Sequence, residues 1–382
     1  MRVGIDASNL RAGGGVTHLV ELLRAATPTE QGIDEVIVWG GAPTLQQLPD
    51  RPWLRRQHDA ALDRALPWRV AWQTAQLPRL AAQACDVLFT PGATTQRTRL
   101  PVVTMCQNML PFEANERRRF GRTPMRARLH LLEYSQRRAF QQAAGVIFLT
   151  HYAQQAVQTE IGALRGQQAI IPHGIAAEFR RPSRQAQPAA QYSAERPFRL
   201  LYVSVVTVYK HQWVVAEAVA QLRAAGLPLV IDFAGPAYEP SLHQLQTTLQ
   251  RLDPSGAFSR YLGPIQYADL PQLYSQADAF VYASSCENLP IILLEAMASG
   301  LPIACSNRGP MPEVLQDAGI YFDPENPADI AQAVRTLFTD QALRQQLAQR
   351  AAERSQNYTW QHCAQATFAF IARVGQHTAA RA

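Results

Sequence analysis

Short apolar runs recur along the chain, and most of them are separated by stretches with the apolar period of amphipathic helices. The runs are rich in Val, Ile and aromatic residues, which is typical of buried strands. In chain order they are residues 2–6, 36–39, 87–90, 102–105, 145–149, 200–204, 229–233, 260–262, 279–283, 303–305 and 320–322. Strands that alternate with helices predict an α/β fold with parallel, doubly wound sheets.

One segment interrupts this alternation. Residues 180–197 are rich in Arg, Pro, Gln and Ala and have no apolar period, as expected of a linker. The chain of 382 residues is long enough for two domains that each bury a full core. We therefore predict an N-terminal Rossmann-like domain over residues 1–178, a linker over residues 179–197 and a C-terminal Rossmann-like domain over residues 198–359.

The composition is that of a globular protein, with 47% hydrophobic and 17% charged residues. The five cysteines are scattered and form no Cys-x-x-Cys pair, which argues for reduced thiols and against zinc. The sequence shows no charged-then-apolar leader and no apolar run long enough to span a bilayer. We therefore expect a cytoplasmic protein.

The most informative stretch is a predicted strand, turn and helix over residues 279–302. The helix is predicted to begin at Pro290 and to end at Gly300. Glu295 lies on this helix among apolar residues, so its carboxylate is expected to be buried and to need hydrogen-bond donors. Glu287 precedes the helix N-terminus, where backbone N–H groups attract anions. Two carboxylates that flank a phosphate site can bind the hydroxyls of a sugar nucleotide. The alternative is that Glu287 caps the helix and Glu295 pairs with a buried Arg.

The spacing Glu287-(seven residues)-Glu295, followed by Ala-Met-Ala-Ser-Gly-Leu-Pro and the segment 309–314, resembles the donor-site motif of the retaining family 4 glycosyltransferases of GT-B fold, glycosyltransferase group 1. The resemblance implies two Rossmann-like domains that face each other across a cleft, with a C-terminal helix over residues 360–382 packed back on the first domain. It also implies that Glu287 contacts the transferred sugar and that Glu295 holds the ribose. The turn reads Glu-Asn-Leu-Pro where Glu-Gly-Phe-Gly is commoner, which leaves the identity of the sugar open.

Lys210 is the only lysine in the chain and follows the first predicted strand of the second domain. Its compact ammonium group suits a phosphate that is approached end-on. The alternative is chance, because one lysine must lie somewhere. In the resemblance Lys210 matches the diphosphate-binding lysine of the family, and we predict Lys210 and Glu287 as catalytic residues. Ser204 replaces the Arg that usually precedes this lysine by six residues.

Three glycines, Gly13 to Gly15, follow the first strand and precede a helix. This order is typical of a nucleotide- or phosphate-binding unit, although the spacing matches no phosphate-loop motif and a flexible turn is an equal alternative. The resemblance places Gly14 and Gly15 opposite the donor diphosphate. The other donor-side residues that we predict are Ser204, Lys210, Gly235, Leu262, Asn288, Leu289, Pro290 and Glu295.

On the acceptor side, Gln107 and Asn108 stand where many relatives carry His-Asp. Their amides can orient hydroxyl groups but cannot act as a general base. His18 and His173 are candidates near the cleft, and we assign His173 to the acceptor side. A structural role for each histidine is the alternative.

The resemblance implies a retaining glycosyltransferase. We expect such an enzyme to transfer a sugar from a UDP- or GDP-sugar to a hydroxyl of a glycan or lipid-linked glycan, in envelope polysaccharide or lipopolysaccharide synthesis. The sequence contains no Asp-x-Asp and no His/Asp/Glu cluster with metal-ligand spacing, so we expect neither a metal nor another cofactor. Two rivals remain: a non-catalytic nucleotide-sugar-binding protein of the same fold, and another GT-B enzyme such as an epimerase or phosphorylase.

Residues 117–138 contain eight Arg and one acid, Glu133, with apolar residues interleaved. From Pro124 onward the pattern predicts a helix. It fits a core helix with a solvated Arg face, a helix in peripheral contact with anionic lipid on the inner face of the membrane, or a nucleic-acid patch. Because no nucleic-acid motif accompanies the charge, we expect no nucleic-acid partner.

Overall fold

The computed structural model describes residues 1–11, 13–93 and 98–379. Within these ranges the chain divides into two compact units. The first comprises Met1–Arg117, Arg122–Gly174 and the stretch that begins at Thr359, and the second comprises Arg118–Gly121 and Ile175–Tyr358. Each unit is built on one parallel sheet, as the alternation of strands and helices predicts.

The first unit contains a seven-stranded sheet in which neighbouring strands are parallel. Its strands are β1 Arg2–Ala7, β2 Glu35–Gly40, β3 Leu54–His58, β4 Val87–Thr90, β5 Val102–Met105, β6 Gly145–Phe148 and β7 Gln167–Ile170. Their order in the sheet is β3-β2-β1-β4-β5-β6-β7. The strand order therefore reverses between β1 and β4, and open α/β sheets bind ligands beyond the carboxyl ends of the strands at such a point.

Seven helices of the described first half connect these strands. They are α1 Gly14–Ala25, α2 Ala42–Leu45, α3 Leu66–Ala75, α4 Leu77–Ala84, α5 Ala114–Arg118, α6 Pro124–Gln142 and α7 His151–Ile161. The helix predicted from Pro124 is α6. Its buried residues include Leu129 and Phe140, so one side of this Arg-rich helix packs on the core of the unit.

The second unit contains a six-stranded parallel sheet. Its strands are β8 Phe198–Val203, β9 Leu229–Ala234, β10 Ser259–Tyr261, β11 Ala279–Tyr282, β12 Ile303–Ser306 and β13 Ile320–Phe322. Their order is β10-β9-β8-β11-β12-β13, so the order reverses between β8 and β11. The helices are α8 Gln212–Ala224, α9 Glu239–Leu252, α10 Leu270–Gln276, α11 Ile291–Ala298, α12 Met311–Leu315, α13 Pro327–Thr339 and α14 Gln341–Ser355.

The last helix, α15, spans Trp360–Ala379 and belongs to the first unit, where it packs against α1. Its approach to β6 is close. A Cβ atom added at Gly145 would lie 2.9 Å from both Phe370 Cε1 and Val374 Cγ2, so glycine is needed there for the contact. The last three residues of the helix predicted over 360–382 lie outside the described residues.

Strand β3 was not predicted from the sequence. Its residues are Leu-Arg-Arg-Gln-His, and most of their side chains are partly or fully exposed. The strand lies at the edge of the first sheet and pairs with β2 alone. An edge strand needs no apolar run, because one side of it faces solvent rather than another strand.

The predicted linker, residues 179–197, lies within the second unit. Apart from the short segment Arg118–Gly121, the chain enters that unit at Gly174–Ile175 and leaves it at Tyr358–Thr359. The Arg344 guanidinium donates to the Gln187 carbonyl. The ring of Tyr192 lies 5.0 Å, edge-on, from that of Phe198. This segment is therefore irregular coil that packs within the second unit. Irregular coil packs through individual side chains and needs no apolar period.

Candidate active site

The predicted donor residues of the second unit gather around the loops that follow β8 and β11. These strands are neighbours, with Ala279 opposite Leu200 and Phe280 opposite Leu201. Because the two strands are parallel, the loops that follow them emerge at the same edge of the sheet. β8 and β11 are also the two strands between which the strand order reverses, and open α/β sheets bind ligands at such a place.

Lys210 and Glu287, from these two loops, form an ion pair between Nζ and Oε1. Lys210 is 4% exposed. Its ammonium also donates to Tyr282 Oη at 3.0 Å, and the Tyr282 hydroxyl donates to Oε1 of Glu287. The three groups form a closed hydrogen-bonded triangle in which the opposite charges compensate each other, as a buried ion pair requires. The structure therefore brings the two predicted catalytic residues together.

Tyr282 and Tyr202 are site residues that the sequence reasoning missed. Each lies near the carboxyl end of its strand, in β11 and β8. The Tyr202 hydroxyl donates to the Lys210 carbonyl at 2.5 Å. Burial, with the neighbouring Glu287 carboxylate, holds the pKa of both phenols well above the usual range. Both tyrosines therefore stay neutral and hold the loop and its ammonium in place. In the sequence, each of these tyrosines stands near the end of a predicted strand that leads into a loop with a predicted catalytic residue, and this position could have identified it.

The two loops are also joined to each other. The backbone N–H of Ser285 donates to the Tyr209 carbonyl at 2.9 Å. His211 Nε2 lies 3.0 Å from Ser285 Oγ. His211 has a left-handed backbone, φ 50°, immediately before α8, a conformation that costs energy for a residue with a Cβ atom. Burial lowers the pKa of His211 to about 4, so the imidazole is neutral at pH 7.

Glu295 lies on α11 and is 3% exposed. Its Oε2 lies 3.1 Å from the hydroxyl of Tyr274, which lies on α10. Burial raises the pKa of Glu295 to about 8, although the Tyr274 hydrogen bond acts in the opposite direction. Among the described residues, this carboxyl group is therefore hydrogen-bonded to a tyrosine and not to the buried Arg of the alternative interpretation. Helix α11 begins at Ile291, with Pro290 as its N-cap.

The other predicted donor residues of the second unit differ in how far their side chains are exposed. The Ser204 hydroxyl is buried and has no hydrogen-bond partner among the described residues. Gly235 has φ 136°, and a Cβ atom there would lie 2.2 Å from the Ser204 carbonyl oxygen. Leu262 is partly exposed, whereas Asn288 and Leu289 are buried. Of these side chains, Leu262 is the one most open to a ligand.

In the first unit, Gly14 begins α1 and is exposed, with open space where a Cβ atom would be. A Cβ atom added at Gly15 would lie 3.4 Å from Gln107 Oε1. The structure thus places the glycine loop after β1 beside the loop after β5. Asn108 Oδ1 accepts the Leu110 N–H at 3.1 Å, so this side chain stabilises a local turn.

His18 and His173 lie inside the first unit, 1% and 5% exposed. Their ring centroids are 4.3 Å apart, and each is 5.8 Å from the ring of Trp360. Burial lowers the pKa of His18 to about 4 and that of His173 well below its ordinary value. This environment favours the structural alternative over an acceptor-side role for His173, because an acceptor must reach the side chain.

The arginines of residues 117–138 are not all surface charges. Arg117 is buried and pairs with Glu133 at 2.7 Å. Arg119 forms a bidentate ion pair with Glu325 at 2.6 and 2.8 Å. On α6, by contrast, Leu131 and Tyr134 are 72% and 61% exposed. Arg117 and Arg119 are therefore engaged in ion pairs, so this segment offers a partner fewer arginines than its sequence indicates.

Comparison with known proteins assigns both halves of the chain. The family model described as Glycosyltransferase Family 4 matches residues 12–179, and the model described as Glycosyl transferases group 1 matches residues 183–354. The chain belongs to the family 4, group 1 glycosyltransferases. The family predicted from the motif around Glu287 and Glu295 is thereby confirmed.

Curated relatives of this chain match over shorter stretches. The O-antigen chain mannosyltransferase B of Escherichia coli is 36% identical over 104 residues, 27% of either chain. A sulfoquinovosyl transferase of Arabidopsis thaliana is 28% identical over 171 residues, 44% of this chain and 31% of the relative. The matched region thus spans less than half of each of these relatives.

Solved structures confirm the GT-B fold. Sucrose-phosphate synthase from Thermosynechococcus elongatus superposes with a TM-score of 0.73 at 17% identity over the full length of both chains. The Anabaena protein HepE, in complex with UDP and glucose, gives a TM-score of 0.70 at 18% identity and covers 96% of this chain and 98% of that one. Among the described residues, no helix has the length and apolarity to cross a membrane.

Proposed function

We propose that this glycosyltransferase is a retaining enzyme that transfers a sugar from a UDP- or GDP-sugar to a hydroxyl of a glycan or lipid-linked glycan. The observation that carries the proposal is the Lys210–Glu287 pair at the reversal point of the second sheet. Glu295 lies on the helix that follows the same loop. A structural neighbour with bound UDP-glucose supports a nucleotide sugar as the donor.

In this proposal the donor diphosphate takes the place of Glu287 as the partner of the Lys210 ammonium. The N-terminus of α11 adds backbone donors to the leaving group. Glu287, released from the lysine, orients the sugar hydroxyls, and Glu295 holds the ribose. The bond between the anomeric carbon and the phosphate oxygen breaks as the acceptor oxygen attacks on the same face. A phosphate oxygen takes the acceptor proton, so no carboxylate base is needed beside Gln107.

We further propose that the diphosphate is bound without a metal ion. Lys210 supplies one positive charge, and the sequence contains no Asp-x-Asp. With magnesium-free donor, EDTA is expected to leave turnover nearly unchanged. Strong inhibition that Mg²⁺ reverses would contradict this part of the proposal.

The acceptor is proposed to be a precursor of an envelope polysaccharide or lipopolysaccharide, approached from the cytoplasmic side. The name of the Escherichia coli relative, an O-antigen chain mannosyltransferase, supports this class. The exposed Leu131 and Tyr134, with exposed Arg128 nearby on α6, support a peripheral contact with anionic lipid.

Vesicle sedimentation tests this contact. Binding to anionic vesicles is expected at low salt and should fall as salt screens the charges. Arg122→Gln with Arg128→Gln should weaken it, because both side chains are exposed. Arg51→Gln with Arg79→Gln is the control, since it removes the same charge from exposed positions outside this segment. Equal binding by the two double variants would contradict a specific role for residues 117–138.

The decisive experiment for the overall proposal is a thermal-shift panel of UDP, GDP, UDP-glucose and GDP-mannose, followed by an assay of donor cleavage. The nucleotide that binds should raise the melting temperature by mass action. Slow donor hydrolysis without acceptor is expected of an enzyme, and Lys210→Ala should lower its rate by on the order of a hundredfold or more. A shift without any hydrolysis would favour the non-catalytic binding protein, and no shift with any nucleotide would refute the proposal.

A further inference from the structure

Three side chains with metal-binding atoms meet in the core of the first unit. His18 lies on α1, His173 lies beyond β7, and Cys363 lies in the first turn of α15. One ligand atom from each residue lies within 4.8 Å of one ligand atom from each of the other two. All three residues are buried, with Cys363 fully inaccessible to solvent.

Three of the four imidazole nitrogens in this cluster lack a hydrogen-bond partner among the described residues. Neither ring nitrogen of His18 has a hydrogen-bond partner among the described residues, and the same holds for Nδ1 of His173. A buried imidazole normally satisfies these nitrogens, because an unpaired polar atom loses its hydration without compensation. Aromatic packing against Trp360 accounts for the carbon surface of the rings but not for the nitrogens.

We propose that His18, His173 and Cys363 together bind one zinc ion. Two imidazoles and one thiolate form the borderline-soft donor set that zinc favours, and the absence of a carboxylate from the group disfavours magnesium and calcium. The Cys363 thiol releases its proton to solvent when the sulfur coordinates the ion. A water molecule or another group completes the coordination.

The geometry requires little rearrangement. Tetrahedral zinc with ordinary bond lengths places its nitrogen and sulfur ligands roughly 3.3–3.6 Å apart. The separations here lie within 4.8 Å, so rotation about side-chain bonds and small shifts suffice. The three ligands are far apart in sequence, and an ion that joins them would tie α1 and the end of the first half of the chain to α15. Such a link removes conformational freedom from the unfolded chain.

This site is independent of the proposed sugar transfer. Its ligands lie in the first unit, whereas Lys210, Glu287 and Glu295 lie in the second. None of these three residues is close to another in the sequence, so the cluster leaves no metal-ligand spacing in the sequence, and the proposal departs from the expectation of no metal.

The test compares the full-length chain with Cys363→Ser and Cys85→Ser. Cys85 is also a buried thiol of the first unit but is not part of the cluster. Protein produced with zinc in the medium and purified without chelator should contain about one zinc per chain. Cys85→Ser should match it, and Cys363→Ser should retain only a small fraction. A chelator should lower the melting temperature of the wild type and of Cys85→Ser, and zinc but not Mg²⁺ should restore it.

Cobalt substitution keeps the test decisive even if Cys363→Ser fails to fold. Cobalt-loaded wild type and Cys85→Ser should both show thiolate-to-cobalt charge-transfer absorption. The proposal is overturned if the wild type holds no zinc after reconstitution and shows no such absorption. It is also overturned if a folded Cys363→Ser binds as much zinc as Cys85→Ser, in which case the cluster is a packing arrangement only.

Discussion

Replacement of Glu295 by Gln should stabilise the free protein at neutral and alkaline pH while weakening its hold on a nucleotide. Gln has nearly the same shape, and its amide oxygen can accept the Tyr274 hydrogen bond at the 3.1 Å observed for the carboxyl oxygen. The variant therefore removes one property, the tendency of a buried carboxyl group to ionise.

The magnitude follows from the pKa, which burial raises from 4.5 to about 8. Because the folded-state pKa exceeds the unfolded-state value, the favourable contribution is complete below pH 4.5 and is lost as pH rises through 8. Each pH unit in this window costs about 1.4 kcal/mol, so the wild type loses about 3 kcal/mol by pH 7. For a unit of this size that loss corresponds to a difference of roughly 6–12 °C in melting temperature.

The assay is thermal unfolding of wild type, Glu295→Gln and Glu239→Gln between pH 5 and pH 8.5. Glu239 is an exposed glutamate of the same unit and serves as the control. The curves of wild type and Glu295→Gln should nearly coincide at pH 5 and diverge as pH rises, with Glu295→Gln the more stable. Glu239→Gln should follow the wild type throughout. Curves that stay parallel over this range would refute the reasoning about burial.

The same variant tests the proposed function. Above pH 8 the Glu295 carboxyl group is a carboxylate to which ribose hydroxyls can donate, whereas the amide NH₂ of Gln offers one of them a donor instead of an acceptor. Nucleotide affinity should therefore fall by about tenfold to a hundredfold. Unchanged affinity would remove Glu295 from the ribose site without affecting the stability argument.

Substitutions at three further residues are informative. Lys210→Ala should lower turnover by on the order of a hundredfold or more, as expected for a preorganised donor to a leaving group. Lys210→Arg should restore turnover only partly, because the planar guanidinium fits the ammonium site poorly. Single-turnover rates measure both effects, and near wild-type rates would exclude a catalytic role for Lys210. Glu287→Ala should lower turnover more than nucleotide affinity, because the sugar becomes oxocarbenium-like only in the transition state. Binding titrations together with kinetic measurements check this, and the reverse pattern would exchange the proposed roles of Glu287 and Glu295. Burial lowers the pKa of His211 from 6.5 to about 4, so the stabilising contribution of the neutral imidazole is present above pH 6.5 and is lost as pH falls toward 4. His211→Asn keeps a side chain that tolerates the left-handed backbone and should make the melting temperature fall less steeply between pH 6.5 and pH 4. An equally steep fall in the variant would show that His211 is not its source.

The sequence by itself determined the architecture and the family. Strands of a parallel sheet are buried on both faces, so they appear as continuous apolar runs, and their alternation with helices predicts the topology class. The pair Glu287 and Glu295 was also readable, because both lie on one strand-turn-helix unit and their spacing is local. The polar edge strand β3 escaped prediction because an exposed edge leaves no apolar signal.

Only the tertiary structure decided which distant residues meet. Lys210 pairs with Glu287 because β8 and β11, separated along the chain by β9 and β10, are neighbours in the sheet. Tyr282 becomes part of that site only because its strand ends beside the Lys210 loop. His18, His173 and Cys363 come together for the same reason: α15 returns to the first unit. Sequence spacing reports contacts within one element or turn, whereas contacts of this kind depend on how whole strands and helices pack.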